Sequence, residues 1–215
     1  DKSLSTDTLN DDHQYLFVRL VPKHVERLFQ SAASKKELPP LRLFLMGTAG
    51  TGKTRAIQTL LQSMQERLEE AGISLDFIRC AAPTGSAAFN IRFSATTIHR
   101  LIHFFTPPYF RELAPGSDQL ERFQTFLQNT EMILLDEISM VGRQFMGKID
   151  SRLRQGAAGR EGADGSLGGL SCVVVGDPAQ CEALHDQQLY DLDPHCKTAN
   201  DDAPECARHS NVGLS

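Results

Sequence analysis

A chain of 215 residues, 40% hydrophobic and 23% charged, can bury one good core and carry a small insertion besides. Its formal charge of −5 gives no general pull toward a polyanion, so a nucleic-acid partner would need a local groove or another part of the protein. No apolar stretch approaches membrane-spanning length and no charged-then-apolar secretory leader opens the chain, so no membrane partner is expected.

The chain starts at Asp1 rather than a methionine, which leaves room for an upstream segment. Asp1–Asn10 is polar and reads as frayed. Asn10 or Asp11 can cap a helix running toward Leu20, and Pro22 is expected to break or restart it before Val25, Leu28 and Phe29. Lys35–Pro40 reads as a linker. Leu41, Leu43, Phe44, Leu45 and Met46 form a short apolar run ending in glycine, the pattern of a buried parallel strand. Ile57, Leu60, Leu61, Met64 and Leu68 then recur at helical spacing until Ala71-Gly72 stops them.

Leu75–Ala82 reads as a second strand, and Thr84-Gly85 opens a short helix through Ala87, Ala88 and Ile91. His103–Pro115 is irregular, and Asp118–Gln128 is helical. Glu131–Leu135 is a third strand, and Val141, Phe145, Ile149 and Leu153 mark one face of the helix after it. Gly156–Gly169 holds six glycines in fourteen residues and reads as a flexible surface loop. Leu170–Val175 is a fourth strand. Beyond Gln180 the pattern fades into polar segments. Strands alternating with amphipathic helices predict an α/β fold with a mostly parallel sheet covered on both faces, its ligands at the carboxyl ends of the strands. Of five cysteines, Cys80 and Cys172 fall in apolar strands, which suits reduced thiols inside a cell.

Three of those strand ends carry chemistry. Gly47, Thr48, Ala49, Gly50, Thr51, Gly52, Lys53 and Thr54 match G-x-x-x-x-G-K-[ST] between a strand and a helix. Glycines let backbone N–H groups close around an anion, and the helix N-terminus adds positive charge. The loop predicts a nucleoside triphosphate site in which Lys53 pairs with the β- and γ-phosphates and the Thr54 hydroxyl ligates Mg²⁺. Asp136, at the tip of an apolar strand, fits a water-mediated Mg²⁺ contact. Glu137, one residue on, is expected to point to the other side of the strand, toward the γ-phosphate, and to deprotonate the attacking water. After Cys172–Val175, the run Gly176-Asp177-Pro178-Ala179-Gln180 offers an amide, Gln180, that can sense the γ-phosphate.

Together with Ala82–Ala88, Thr97-Ile98-His99, Asp136–Met140, and Gly168-Gly169 leading to Gln180, these residues resemble the Pif-type (petite-integration-frequency) helicases of helicase superfamily one, including their rolling-circle-transposon relatives. Leu9–Gln14 resembles the family's adenine-reading motif, which implies that Gln14 contacts adenine. The resemblance runs from about Leu9 to Leu214. It implies a three-layer RecA-like P-loop NTPase, with 1–40 as adenine-motif helix and linker, 41–185 as the core with an insertion near 103–118, and 186–215 as an irregular segment. It implies an ATP- and Mg²⁺-dependent motor moving 5′-to-3′ on single-stranded DNA and unwinding duplex DNA, in repair, recombination or telomere maintenance, in the nucleus or mitochondrion. Thr84, Gly85 and Ser86 match a segment gripping the DNA backbone, and His99 a position beside the strand. Phe104, Phe105, Tyr109 and Phe110 lie where the family inserts a wedge; they could stack on bases or form a miniature core.

The chain departs from the pattern after its sensor, where Cys181-Glu182-Ala183-Leu184 replaces Leu-Pro-Pro. No arginine-bearing motif follows Gln180, so a second RecA-like domain is an expected partner, and the chain alone is expected to bind ATP but turn it over slowly. The rival readings are a nucleotide-binding remnant without helicase activity and a P-loop kinase, the latter disfavoured by residues suited to activating water. Cys181, His185, His195, Cys196, Cys206 and His209 follow no recognised zinc spacing and read as polar tail chemistry.

Overall fold

Five parallel strands make one sheet: β1 (Arg42–Met46), β2 (Ile78–Ala82), β3 (Thr96–Thr97), β4 (Met132–Leu135) and β5 (Ser171–Gly176), in the spatial order β1-β5-β4-β2-β3. The structure is a computed structural model and describes residue 9 and residues 12–34, 38–104, 110–181, 183 and 186–189. Six α-helices accompany the sheet: α1 (Asp12–Ser34), α2 (Lys53–Glu70), α3 (Gly85–Ile91), α4 (Ile98–Leu101), α5 (Asp118–Leu127) and α6 (Arg143–Ala157).

The pleat sorts the strand residues into two cores. Cys80, Ala82, Met132, Leu134, Val173 and Val175 face one side, beneath α1, α2 and α3. Ala81, Ile133, Leu135, Cys172 and Val174 face the other, beneath α4, α5 and α6. This is the three-layer α/β architecture expected of the chain. Burial on both faces pushes the Cys80 and Cys172 thiols up to about 12, so both stay protonated. Among the described residues no helix is long and apolar enough to cross a membrane.

Several expectations are corrected. The run before the glycine loop is an edge strand, paired only with β5 among the described strands, and Phe44 and Met46 are 48% and 41% exposed. Its apolar composition matched a central strand, but helices cover only the Leu43/Leu45 face. Pro22 does not break α1, which runs through it as one helix. Val21 and Val25, both fully buried, hold the halves on either side of the proline against the same core, offsetting the lost hydrogen bond. Leu75–Phe77 is a 3-10 turn, so the second strand starts only at Ile78.

The glycine-rich stretch is not a flexible loop either. Its first two residues complete α6, and the rest is pinned to that helix: Asp150, buried, accepts from Leu167 N at 2.6 Å and from Arg154 Nε at 2.8 Å. Arg42 donates to Ser166 O at 2.6 Å and also reaches Leu170 O. Gly156 is there for close approach, because a Cβ would fall 2.4 Å from Leu127 Cδ1 and 2.5 Å from Phe123 Cε1 on α5. Valine improves on glycine's helix propensity by only a few tenths of a kcal/mol, whereas overpacking costs about 1–3 kcal/mol. Gly156→Val is therefore expected to destabilise the domain by about 1–3 kcal/mol in urea titration, and an unchanged midpoint would show that α5 yields freely.

The expectations for 1–8, 10–11 and 35–37, for Phe105 and Tyr109, and for 182, 184–185 and 190–215 lie outside the described residues.

Candidate active site along the carboxyl edge of the sheet

Parallel strands place all their carboxyl ends on one edge, and here that edge reads in order across the molecule. It runs from the glycine loop after β1 to Asp177–Gln180 after β5, then Asp136-Glu137 after β4, Thr84–Ser86 after β2, and His99 on α4 after β3. The first three groups border one cavity of about 310 Å³, lined by Ala49, Gly50, Gly52, Lys53, Thr54, Asp136, Glu137, Gly176, Asp177 and Gln180. That is large enough for a polyphosphate tail.

The loop is tied to the sheet by Gly47 N, which donates to Gly176 O at 3.2 Å, and is closed on itself by Thr51 Oγ1 bonding Thr48 O at 2.9 Å. Gly52, at φ 83°, turns the chain into α2, whose first residues, Lys53 and Thr54, line the cavity. Lys53 Nζ donates to Gly47 O at 2.6 Å and to Thr48 O at 2.9 Å, with Asp177 Oδ2 3.9 Å away. Gln14, only 5% exposed, donates its amide to Thr51 O and lies against Gly52. It therefore braces the outer wall of the loop, not the cavity itself.

Asp136 is 8% exposed, and burial pushes its carboxyl above the usual range, partly opposed by the Glu137 N–H it accepts at 2.9 Å. The Glu137 charge raises it further and Lys53 lowers it. β4 ends at Leu135 and Glu137 sits at φ 55°, ψ 40°, so Glu137 lies past the strand rather than on it, and Asp136 and Glu137 line the same cavity. A non-glycine residue held in that left-handed region stores about 1–3 kcal/mol of strain, a cost met most often at functional sites.

Thr54 and Asp136 offer a hydroxyl and a carboxylate to a hard divalent ion. Among the described residues no group of three His, Cys, Asp or Glu side chains is placed to hold a metal ion. Because Asp136 is harder to ionise folded than unfolded, its contribution to stability is full below the ordinary unfolded carboxyl value and is lost as pH rises from there through the raised folded value. Asp136→Asn keeps the acceptor for Glu137 N and removes the charge. It is expected to unfold at higher urea than wild type at pH 7, with the gap closing toward acid; a variant weaker than wild type at pH 7 would refute this.

The remaining predicted residues form a second group, outside the phosphate cavity. Thr84 Oγ1 caps α3 by accepting from Ala87 N at 3.2 Å and lies 3.2 Å from Ser86 Oγ, while Gly85 and Ser86 are exposed. His99 is exposed at one side and stacks between Phe145 (4.8 Å) and Phe104 (5.5 Å); burial first, then Lys148, pulls its imidazole below the usual value. Phe104 meets Phe110 edge-on at 5.7 Å, so those two aromatics pack on each other.

Two residues escaped the sequence reading. Asp177, 2% exposed beside Lys53, follows an apolar strand as Asp136 does, a signal that was there to use. Phe89 is 82% exposed on α3, out of phase with buried Ala87, Ala88 and Ile91.

The AAA domain family matches residues 30–184. RecBCD enzyme subunit RecD of Mycolicibacterium smegmatis is 30% identical over 189 residues, covering 74% of this chain and 30% of the relative. A structure of two coordinating Pif1 helicases unwinding forked dsDNA superposes with TM-score 0.54 at 26% identity, over 81% of this chain and 35% of that one. Bacteroides Pif1 in complex with ADP-AlF3 and ssDNA gives TM-score 0.50 at 29% identity, over 72% and 32%. The chain thus spans about a third of the length of these proteins.

Proposed function

The chain belongs to the AAA domain family and is a Pif-type motor domain of helicase superfamily one; from that membership we propose that it binds and hydrolyses ATP to drive 5′-to-3′ movement on single-stranded DNA and the unwinding of duplex DNA. One observation carries the reading. Lys53, Thr54, Asp136, Glu137 and Gln180 come from three neighbouring strand ends and border one cavity.

In this reading the loop N–H groups and the α2 N-terminus hold the phosphates, and Lys53 exchanges its bonds to Gly47 O and Thr48 O for β- and γ-phosphate oxygens. Thr54 and, through water, Asp136 would hold Mg²⁺, which neutralises phosphate charge. Glu137 takes the proton of the attacking water, and Gln180 bonds the γ-phosphate and registers its loss. Gln14 orders the loop from outside and offers its remaining amide valences to adenine.

DNA lies along the same edge, on Thr84, Gly85, Ser86 and His99. The exposed α3 start supplies N–H and hydroxyl donors to a backbone phosphate, and His99 supplies a ring face. We assign Phe89 to this track as a base-stacking residue, because an 82% exposed phenylalanine beside phosphate donors has no core to serve. A second RecA-like domain completes the motor, with tasks in repair, recombination or telomere maintenance and a nuclear or mitochondrial site of action.

ATPase measured with and without oligo(dT), alongside anisotropy of a labelled oligo(dT), tests the reading. Wild type is expected to be stimulated by DNA, and Phe89→Ala to weaken DNA binding by about fivefold to a hundredfold, the equivalent of about 1–3 kcal/mol per stacked base. Tight ATP binding with no response to DNA would instead make the chain a nucleotide-binding remnant.

A further inference from the structure

α6 begins seven residues after Asp136, and its N-cap, Gly142, has no side chain to offer the first turn. The orphan donors are taken by a segment that follows the sensor. Arg143 N donates to Gln187 O at 2.9 Å, while Gln144 N and Phe145 N donate to the two carboxylate oxygens of Asp186 at 3.2 and 3.1 Å. A carboxylate there is favoured by both the helix dipole and charge-assisted bonding. The fit depends on glycine, because a Cβ on Gly142 would fall 2.2 Å from Asp186 Cγ. Gln188 pairs antiparallel with Gly142; its amide, oriented by its neighbours, donates to Ser139 O at 2.9 Å and accepts from Ala183 N at 2.7 Å.

Phe145 therefore has two attachments. Its backbone N–H is held by Asp186, and its ring stacks on His99 at 4.8 Å with 28° between the planes. α6 thus touches the exit of the sensor segment at its first turn and the candidate DNA track through the same residue.

We propose that Asp186 is a positioning residue that fastens the sensor segment to α6, so that nucleotide at Gln180 and a ligand at His99 act on one mechanical unit. The inference rests on the nucleotide site proposed above. A carboxylate bridging two segments 41 and 42 residues apart in sequence makes their positions interdependent, and any energetic coupling between the two sites is then reciprocal.

The test follows the His99 ring resonance by NMR, assigned with His99→Gln, while the Mg complex of AMP-PNP, a non-hydrolysable ATP analogue that keeps the γ-phosphate Gln180 meets, is added to the full chain and binding is measured separately by calorimetry. Wild type is expected to show a displaced His99 resonance at saturation. In Asp186→Ala the displacement should fall by more than half while the analogue's affinity stays within about twofold, and Asp186→Asn, which keeps one oxygen acceptor, should recover part of it. Gly142→Ala drives the carboxylate off α6 from the other side and must reproduce the loss, which covers the case in which Asp186→Ala fails to fold. A full displacement in either folded variant, or no displacement in a wild type saturated with the analogue, overturns the proposal. A wild type that binds no analogue sinks the phosphate-site reading itself, and this inference with it.

Discussion

Glu137→Gln is expected to slow ATP hydrolysis by about 10²–10⁴-fold while leaving ATP affinity within about twofold of wild type, the range a lost general base commands. The left-handed turn at Glu137 is what makes the expectation sharp. A carboxylate on a regular strand beside Asp136 would face away from it, yet the φ of 55° turns Glu137 into the same cavity as Lys53, Thr54 and Gln180. Glutamine has the same shape and still offers a carbonyl oxygen to order a water, but cannot take its proton. Binding and hydrolysis should therefore separate. Single-turnover hydrolysis with enzyme in excess, beside equilibrium binding of a fluorescent ATP analogue, reads both quantities. Equal hydrolysis rates would make Glu137 a bystander and leave the strain at that residue without a function.

Lys53→Ala should act earlier, on binding. Charge-assisted bonds to the phosphates are worth about 1.5–3 kcal/mol, so their loss alone weakens binding by about ten- to a hundredfold. A second effect adds to it. Asp177 is 2% exposed and 3.9 Å from Lys53 Nζ, so removing the ammonium leaves a buried carboxylate beside the incoming triphosphate without that cation. The expected total is a loss of about a hundredfold or more in ATP affinity, with hydrolysis at background. The double variant Lys53→Ala, Asp177→Asn separates the contributions, because residues in contact do not act additively. Recovery of part of the affinity in the double variant identifies repulsion from Asp177; a double variant as weak as Lys53→Ala alone assigns the whole loss to the missing phosphate contacts.

Much of the site was legible because its signals are local. A glycine loop between an apolar strand and an amphipathic helix, an apolar strand tipped by Asp136-Glu137, and a third strand tipped by Gly176–Gln180 each need only a dozen contiguous residues to recognise. The errors arose where a local pattern was read as a statement about neighbours. Leu41–Met46 is apolar enough for a central strand, but the number of partners a strand has is not written in its own residues. The glycines of 156–169 signalled mobility by composition, yet Gly156 is small to admit α5, and Asp150 pins Leu167 from seventeen residues away. Pro22 forbids one hydrogen bond, and Val21 and Val25 buried on both sides of it keep the helix whole. Asp186 gave no sequence signal, since capping a helix that starts more than forty residues earlier is visible only in three dimensions.

By itself the sequence determined which residues are candidates for the chemistry and the alternation of strand and helix that sets them at strand ends, because hydrophobic period, glycine loops and acidic strand tips act over a few bonds. Only the tertiary structure decided the strand order, and with it that the lysine loop, the sensor and the acid pair are neighbours while Thr84–Ser86 and His99 continue the same edge. Strand order is settled by which faces can be buried together across the whole chain, and that competition has no local trace.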